Sequence, residues 1–241
     1  MEKIDIIKSI SERTGGDIYL GVVGAVRTGK STFIKKFIEN LVVPNIEDEY
    51  ERKRCLDEIP QTAQGKTIMT IEPKFVPSTA AKIKVEEFET NIKLVDCVGY
   101  VIPAAKGYED EMGEPRMVKT PWYDEDIPFV EAAEIGTEKV IRDHSTIGIV
   151  VTTDGSIGDI TRNNYIEAEN EVISELKEIG KPFIVLLNSA HPTLPETERL
   201  AEKLKEEHNV PVIPISAETM NEKDVYNILK EALYEFPVLN V

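Results

Sequence analysis

Cysteine is scarce in this chain: Cys55 and Cys97 stand in dissimilar contexts and make no metal-binding spacing. That excludes a disulfide framework and a zinc ribbon, and makes a reduced, cytosolic setting the expected one. The three histidines, His144, His191 and His208, are scattered and form neither a catalytic triad nor a zinc set. Nowhere do about eighteen apolar residues run together, and the start, MEKIDIIKSISERTGG, lacks a basic segment followed by an apolar one. A secreted chain, a membrane-spanning chain and direct membrane insertion are therefore not expected. Basic residues are in deficit as well, with 28 Lys plus Arg against 44 Asp plus Glu and a net charge of −16. Such a field repels nucleic acid and anionic lipid at long range, so no nucleic-acid partner is expected. Internal repeats and low-complexity tracts are also absent.

What is present suits one α/β core. The chain has 241 residues, 41% hydrophobic and 30% charged, and is expected to form a single domain over 1–241. One stretch organises it, DIYLGVVGAVRTGKSTFIKK from Asp17 to Lys36. Ile18, Tyr19, Leu20, Val22 and Val23 make a short apolar run suited to a parallel strand buried on both faces. Gly24-Ala25-Val26-Arg27-Thr28-Gly29-Lys30-Ser31 then matches G-x-x-x-x-G-K-[ST], the pattern of a phosphate-binding loop. Two glycines let the backbone curl so that successive N–H groups face phosphate oxygens, and the following helix adds its positive N-terminal end. The loop residues from Gly24 to Ser31, with Thr32, are the candidate triphosphate-binding residues. Lys30 is placed to reach the β and γ phosphates, and the Ser31 hydroxyl is a hard ligand for Mg²⁺.

Around this loop the chain reads as alternating helices and strands. Ile4, Ile7 and Ile10 predict a short amphipathic helix over 2–13, and Phe33, Ile34, Phe37, Ile38 and Leu41 continue the loop helix until Pro44. The acidic stretch NIEDEYERKRCLDEIP reads as a solvated connection or loose helix. Residues 60–79 read as a loop suited to covering a γ-phosphate, with Thr70 the first candidate for Mg²⁺ and Thr67 the second. Two alternating runs, 82–88 and 91–95, separated by Glu89-Thr90, predict a hairpin. The second run ends in Asp96-Cys97-Val98-Gly99, which suits a Mg²⁺-linked aspartate and a glycine N–H aimed at the γ-phosphate. Residues 97–127, rich in Pro, Gly and acids, read as an extended switch or partner surface. Beyond it, helices near 127–144, 163–179, 196–208 and 221–236 alternate with strands at 146–151, 183–187 and 212–215. The fold expected is a mostly parallel sheet with helices on both faces, a GTPase-like P-loop NTPase whose ligands sit at the carboxyl ends of the strands.

These motifs in this order resemble the translation-factor class of GTPases. More narrowly, DIYLGVVGAVRTGKSTFIKKF, GKTIMT, EPKFVP, LVDCVGY, GYEDE, TPWY, VEAAEIGT and EALYEFPVL look like the stage IV sporulation protein A family over nearly the whole chain. The resemblance implies the N-terminal, Mg²⁺-dependent ATPase domain of a longer protein, with Lys30, Thr70, Asp96 and Gly99 as catalytic residues and Ser31, Thr70 and Asp96 at the metal. It also implies a homopolymer on the forespore surface as the base layer of the spore coat, in the mother-cell cytoplasm. Its further partners would be a small amphipathic membrane-anchoring peptide and other spore-coat proteins.

Departures from the class carry physical weight. Guanine readers use N-K-x-D, whose aspartate accepts from the base N1–H and exocyclic amine, whereas here the strand ends in Asn188-Ser189-Ala190-His191. Loss of that bidentate acceptor removes the advantage of guanine and agrees with ATP. Ile215-Ser216-Ala217-Glu218 still resembles the loop that supports guanine, so Asn188, Ser216 and Ala217 are candidate base-side residues. Tyr100 follows Gly99 where relatives carry Gln or His, and tyrosine is a poor base at neutral pH, so slow turnover is expected. Ile71 stands where the family has a second threonine. Arg27 is open to three readings: phosphate contact, contact with a neighbouring subunit, or a solvated side chain.

Three functions compete: an ATP-hydrolysing assembly protein, a GTPase switch, and a nucleotide-binding scaffold without turnover. Base choice separates the first two. ATP is expected to bind at least as tightly as GTP in competition titration, and His191→Asp with Ser189→Lys to shift preference toward GTP by about 1–3 kcal/mol, roughly 5-fold to 150-fold. GTP binding far more tightly than ATP in the unmodified protein would reverse the assignment.

Overall fold

The computed structural model describes residues 2–60, 74–97, 99–105, 108–109, 112–120 and 122–236. Its centre is a six-stranded sheet in the order β2-β3-β1-β6-β7-β8. The strands are β1 (Asp17–Val23), β2 (Lys74–Val85), β3 (Phe88–Asp96), β6 (Ile147–Thr153), β7 (Phe183–Asn188) and β8 (Val212–Ile215). All neighbouring pairs are parallel except β2 with β3. The mostly parallel sheet with helices on both faces matches the sequence expectation.

Period-two alternation assigns each strand residue to a face. Leu20, Val22, Ile147, Ile149 and Val151 join one apolar cluster with α1 (Lys3–Arg13), α2 (Lys30–Phe37) and α7 (Glu222–Tyr234). Val23, Val95, Val150 and Val185 join the other, under α4 (Phe129–His144) and α5 (Ile166–Ile179). Leu187 meets Ala201 and Leu204 of α6 (Pro195–His208). The central strands are therefore covered on both sides, which is why they read as unbroken apolar runs.

The structure differs from the sequence expectation in five local respects. The helix after the phosphate loop stays α-helical only to Phe37 and continues as a π-helical turn, Ile38–Val42, and a 3₁₀ turn containing Pro44. The acidic stretch holds a true helix, α3 (Glu49–Asp57), because the Asp48 side chain accepts from the Glu51 N–H at 2.7 Å and Cys55 is buried beneath it. Residues 74–79 belong to β2, not to a loop. Pro77 is tolerated there because β2 is an edge strand whose register shifts between Val76 and Ala81. The hairpin turn falls at Glu86-Glu87, with Glu86 at φ 56°, so β3 starts at Phe88 and takes in Glu89-Thr90. In the region expected to be an extended switch, β4 (Met117–Val118) and β5 (Ile127–Pro128) form a small antiparallel pair.

Beyond the end of β6, an ion pair fixes the path of the chain. The Arg162 guanidinium makes two bonds to the Glu169 carboxylate, at 2.8 and 2.5 Å, with the Glu169 side chain only 1% exposed. Arg162 also donates to the Thr153 carbonyl at 3.3 Å, tying α5 to the strand end. Removal of one partner strands the other charge in the interior, so Glu169→Ala is expected to lower unfolding free energy by about 3–5 kcal/mol in a urea titration. A much smaller loss would mean that water reaches the arginine.

Candidate nucleotide site

The β1–β3 register sets Val22 beside Asp96, so the loop after β1 and the carboxyl end of β3 emerge together. Beyond both strands the pairing continues: Val26 donates to the Tyr100 carbonyl at 2.8 Å, and Tyr100 donates to the Gly24 carbonyl at 3.2 Å. The phosphate loop is thus laced by its backbone to Tyr100, which follows Gly99. Ala25, Val26 and Thr28 are buried, and the Thr28 hydroxyl donates to the Ala25 carbonyl at 3.0 Å, so these side chains brace the curl and leave ligand contact to the backbone. Thr32, partly buried, lies in the first turn of α2.

Gly29 caps α2 at φ 92°, and a Cβ there would lie 2.3 Å from the Asn188 amide nitrogen. Only glycine permits that approach. The Asn188 amide donates to the Thr28 carbonyl at 2.9 Å, and its oxygen accepts from the Ala217 N–H at 2.9 Å. Asn188, expected on the base side, is a brace that positions the Ser216-Ala217 loop against the phosphate loop.

Lys30, Ser31, Asp96 and Gly99 converge. The Lys30 ammonium donates to the carbonyls of Ala25 and Gly24 at 2.8 and 3.2 Å, and a Cβ on Gly99 would sit 2.4 Å from it. The Ser31 hydroxyl donates to the Asp96 carboxylate at 2.8 Å. Burial lowers the Lys30 pKa, with the Asp96 charge opposing it. Burial raises the Asp96 carboxyl, against the opposing pull of Lys30 and the Ser31 hydrogen bond. Lys30 is 6% exposed, so its head is part of the loop's interior and its loss removes two bonds from the loop itself.

These residues fit a triphosphate and its magnesium ion. A hydroxyl and a carboxylate in contact are hard oxygen donors, and Mg²⁺ is usually held by one or two such groups together with phosphate oxygens. Among the described residues there is no group of three or more His, Cys, Asp or Glu that could hold a metal by itself. Ser31 and Asp96 would hold the ion, which when bound supplies positive charge to the phosphates. Thr70 and Thr67 lie outside the described residues.

On the base side, the structure shows a network to which the sequence reading assigned no role. The Asp154 carboxylate accepts from the Ser156 N–H and hydroxyl at 2.9 and 2.6 Å and from Thr197 at 3.3 Å. Burial pushes its pKa up, but the hydrogen bonds from Ser156, Ser189 and Thr197 outweigh this and hold it below the usual range. Ser156 in turn accepts from the Ala190 N–H at 2.8 Å, and the fully buried Ser189 hydroxyl accepts from the His191 N–H at 2.9 Å. A lysine at 189 would have to leave this interior. His191→Asp alone is therefore the cleaner test of base choice. His191 lines a groove of about 530 Å³ with Asp154, Arg162 and Thr197. The one sequence signal was Thr152-Thr153-Asp154-Gly155 at a strand's carboxyl end.

Tyr100 faces away from this site. Its ring is 1% exposed within the cluster under α4 and α5, and its hydroxyl donates to the Glu175 carboxylate. Burial, and then the Glu175 contact, push the phenol pKa far up, so it has no role as a base. Tyr100→Phe is accordingly expected to leave phosphate release from ATP unchanged and to lower stability by about 1 kcal/mol, a modest loss because the Tyr100–Glu175 contact is only part-buried. A large fall in turnover would place the hydroxyl in the reaction.

The model of the stage IV sporulation protein A ATPase domain matches residues 1–237. The chain is 66% identical to a stage IV sporulation protein A of Bacillus anthracis and 65% identical to one of Bacillus subtilis (strain 168). Each alignment covers 100% of this chain and 49% of the relative. It is 52% identical to a Clostridioides difficile (strain 630) protein of the same name, over 98% of this chain and 48% of that one. The chain thus spans about half the length of these relatives. A crystal structure of a variant of SsGBP covers 97% of the chain and 63% of its own at a TM-score of 0.48 and 18% identity, a likeness too low to carry an argument. With a family model across nearly all its residues and close relatives over its full length, the chain belongs to the stage IV sporulation protein A family and corresponds to its ATPase domain.

Proposed function

We propose that this chain binds ATP with Mg²⁺ and hydrolyses it slowly, and that hydrolysis licenses the protein to assemble with copies of itself. The observation that carries this reading is the convergence of Lys30, the Ser31–Asp96 pair and Gly99 on one loop, within a chain of the ATPase family. The loop N–H groups and Lys30 bind and orient the phosphates. Asp96, through Ser31, orders the metal side. Tyr100, held by Glu175, leaves the water to be positioned by other groups, which supports slow turnover.

The family relationship supports placing the assembly at the forespore surface, as the base layer of the spore coat. A small amphipathic anchoring peptide and other coat proteins complete the proposed partners. No helix among the described residues is long and apolar enough to cross a membrane.

A GTPase reading retains one favourable observation, the Asn188–Ala217 bond that ties the Ser216-Ala217 loop to the end of β7. The missing carboxylate at His191 opposes it.

Phosphate release with and without Mg²⁺ is the deciding measurement. Asp96→Ala is expected to lower hydrolysis by ~100-fold while changing ATP affinity far less, since its place is beside the metal and not on the phosphate cradle. An unaltered rate in that variant would sink the assignment of Asp96. ATP-dependent sedimentation of the wild-type protein, absent in Lys30→Ala, is the expected companion result for assembly.

A further inference from the structure

After Phe37 the phosphate-loop helix widens into the π-helical turn Ile38–Val42, in which the Val43 N–H donates to the Ile38 carbonyl. Turns of this kind are rare and recur beside functional sites. Two asparagines serve this one. Asn45 donates from its side-chain amide to the Leu41 carbonyl at 2.6 Å, a contact confined to the turn. Asn40 spends its amide nitrogen on two carbonyls, that of Lys36 at 2.8 Å and that of Met220 at 3.0 Å. The second partner is 180 residues away in the chain.

Met220 ends the loop that runs from β8 through Ser216 and Ala217 to Asn221, whose side chain caps α7 by accepting from the Lys223 and Asp224 N–H groups. Ala217 and Met220 are buried, whereas Glu218 and Thr219 between them are exposed. The loop is held at both buried residues. The Ala217 N–H donates to the Asn188 oxygen, and the Asn188 nitrogen reaches the Thr28 carbonyl of the phosphate loop. The Met220 carbonyl accepts from Asn40, on the turn that continues α2, and α2 begins with Lys30 and Ser31. Each end of the candidate base loop is therefore tied to an element that carries phosphate-binding residues, and each tie is an asparagine amide. A backbone N–H or a water would satisfy a buried carbonyl equally well. A side chain fixed to the helix also sets a distance, because the helix between Ser31 and Asn40 is a stiff spacer that rises about 1.5 Å per residue.

We propose that Asn40 is a positioning residue for the nucleoside: by holding Met220, it keeps the 216–220 loop at the distance from Lys30 that lets one nucleoside triphosphate span both. This deepens the ATP-binding reading above and rests on it. Asn40 acts through Met220 and the loop, and makes no covalent bond. Loss of its amide releases the end of the loop that leads into α7. The phosphate cradle stays intact, since Lys30 is held by the carbonyls of Gly24 and Ala25 and Ser31 by Asp96. What weakens is the binding of the nucleoside part alone.

Equilibrium titration of the full-length protein with Mg²⁺ and either ATP or inorganic tripolyphosphate tests this, because tripolyphosphate meets the phosphate loop but carries no base. Asn40→Ser is the informative variant. Its hydroxyl still reaches the Lys36 carbonyl one turn back, so the helix keeps that bond, but it is too short for Met220. It is expected to weaken ATP about fivefold to tenfold, the scale of one hydrogen bond, and to leave tripolyphosphate unchanged. Asn40→Ala, which drops both bonds, is expected to show the same split. Asn45→Ala is the matched control, expected to lower the melting temperature while changing neither affinity. Equal weakening of both ligands by Asn40→Ser, or weakening of neither, would overturn the proposal, as would an ATP-selective loss in Asn45→Ala. Both readouts are of binding. Wild-type protein that binds ATP but releases no phosphate would end the hydrolysis reading, whereas this proposal fails only on the ratio of the two affinities.

Discussion

Parallel pairing of β1 with β3 is the contact on which the site depends. Because Val22 is set beside Asp96, the phosphate loop and the β3 carboxyl end leave the sheet at one place, and their backbones stay bonded out to Val26 and Tyr100. A slip of one residue would turn Asp96 to the opposite face of the sheet and break its contact with Ser31. The apolar run that buries β1 on both faces thus fixes the position of the charges at its end. Core packing and chemistry are linked through register, not through any direct contact between core and ligand.

Burial at that strand end works on Lys30 and Asp96 in opposite directions, pressing each toward its neutral form while each charge opposes the shift of the other. Burial of this kind disfavours either charge on its own. A dry loop of this kind strengthens every interaction with phosphate, at the cost of holding charges that need partners. The Ser31 hydroxyl and the carbonyls of Gly24 and Ala25 provide them. The base side is built from hydrogen bonds instead. Asn188, at the end of β7, joins two loops, and Asp154 with Ser156 and Ser189 orders the turn in which guanine readers place their aspartate.

The loop motif, the helix and strand order and the fold class were legible in the sequence because each rests on local pattern. Glycine spacing, period-two strands and helical apolar stripes need no knowledge of distant residues. The hairpin turn was misplaced by about three residues because alternation marks strands better than it marks where they turn. Pro77 hid the start of β2, since tolerance of proline depends on which strand lies at the edge, and that is a property of the assembled sheet.

The sequence by itself determined that a phosphate loop exists, that an aspartate follows a core strand and that the guanine-reading carboxylate is missing. These are statements about residue type and spacing. Only the tertiary structure decided what each side chain touches. It turned Tyr100 toward Glu175 and away from the phosphates, made Asn188 a brace, buried Ser189 and gave Arg27 its left-handed backbone. Side-chain direction depends on partners 75 residues away in the case of Tyr100 and 160 in the case of Asn188, and separations of that size leave no mark on local pattern.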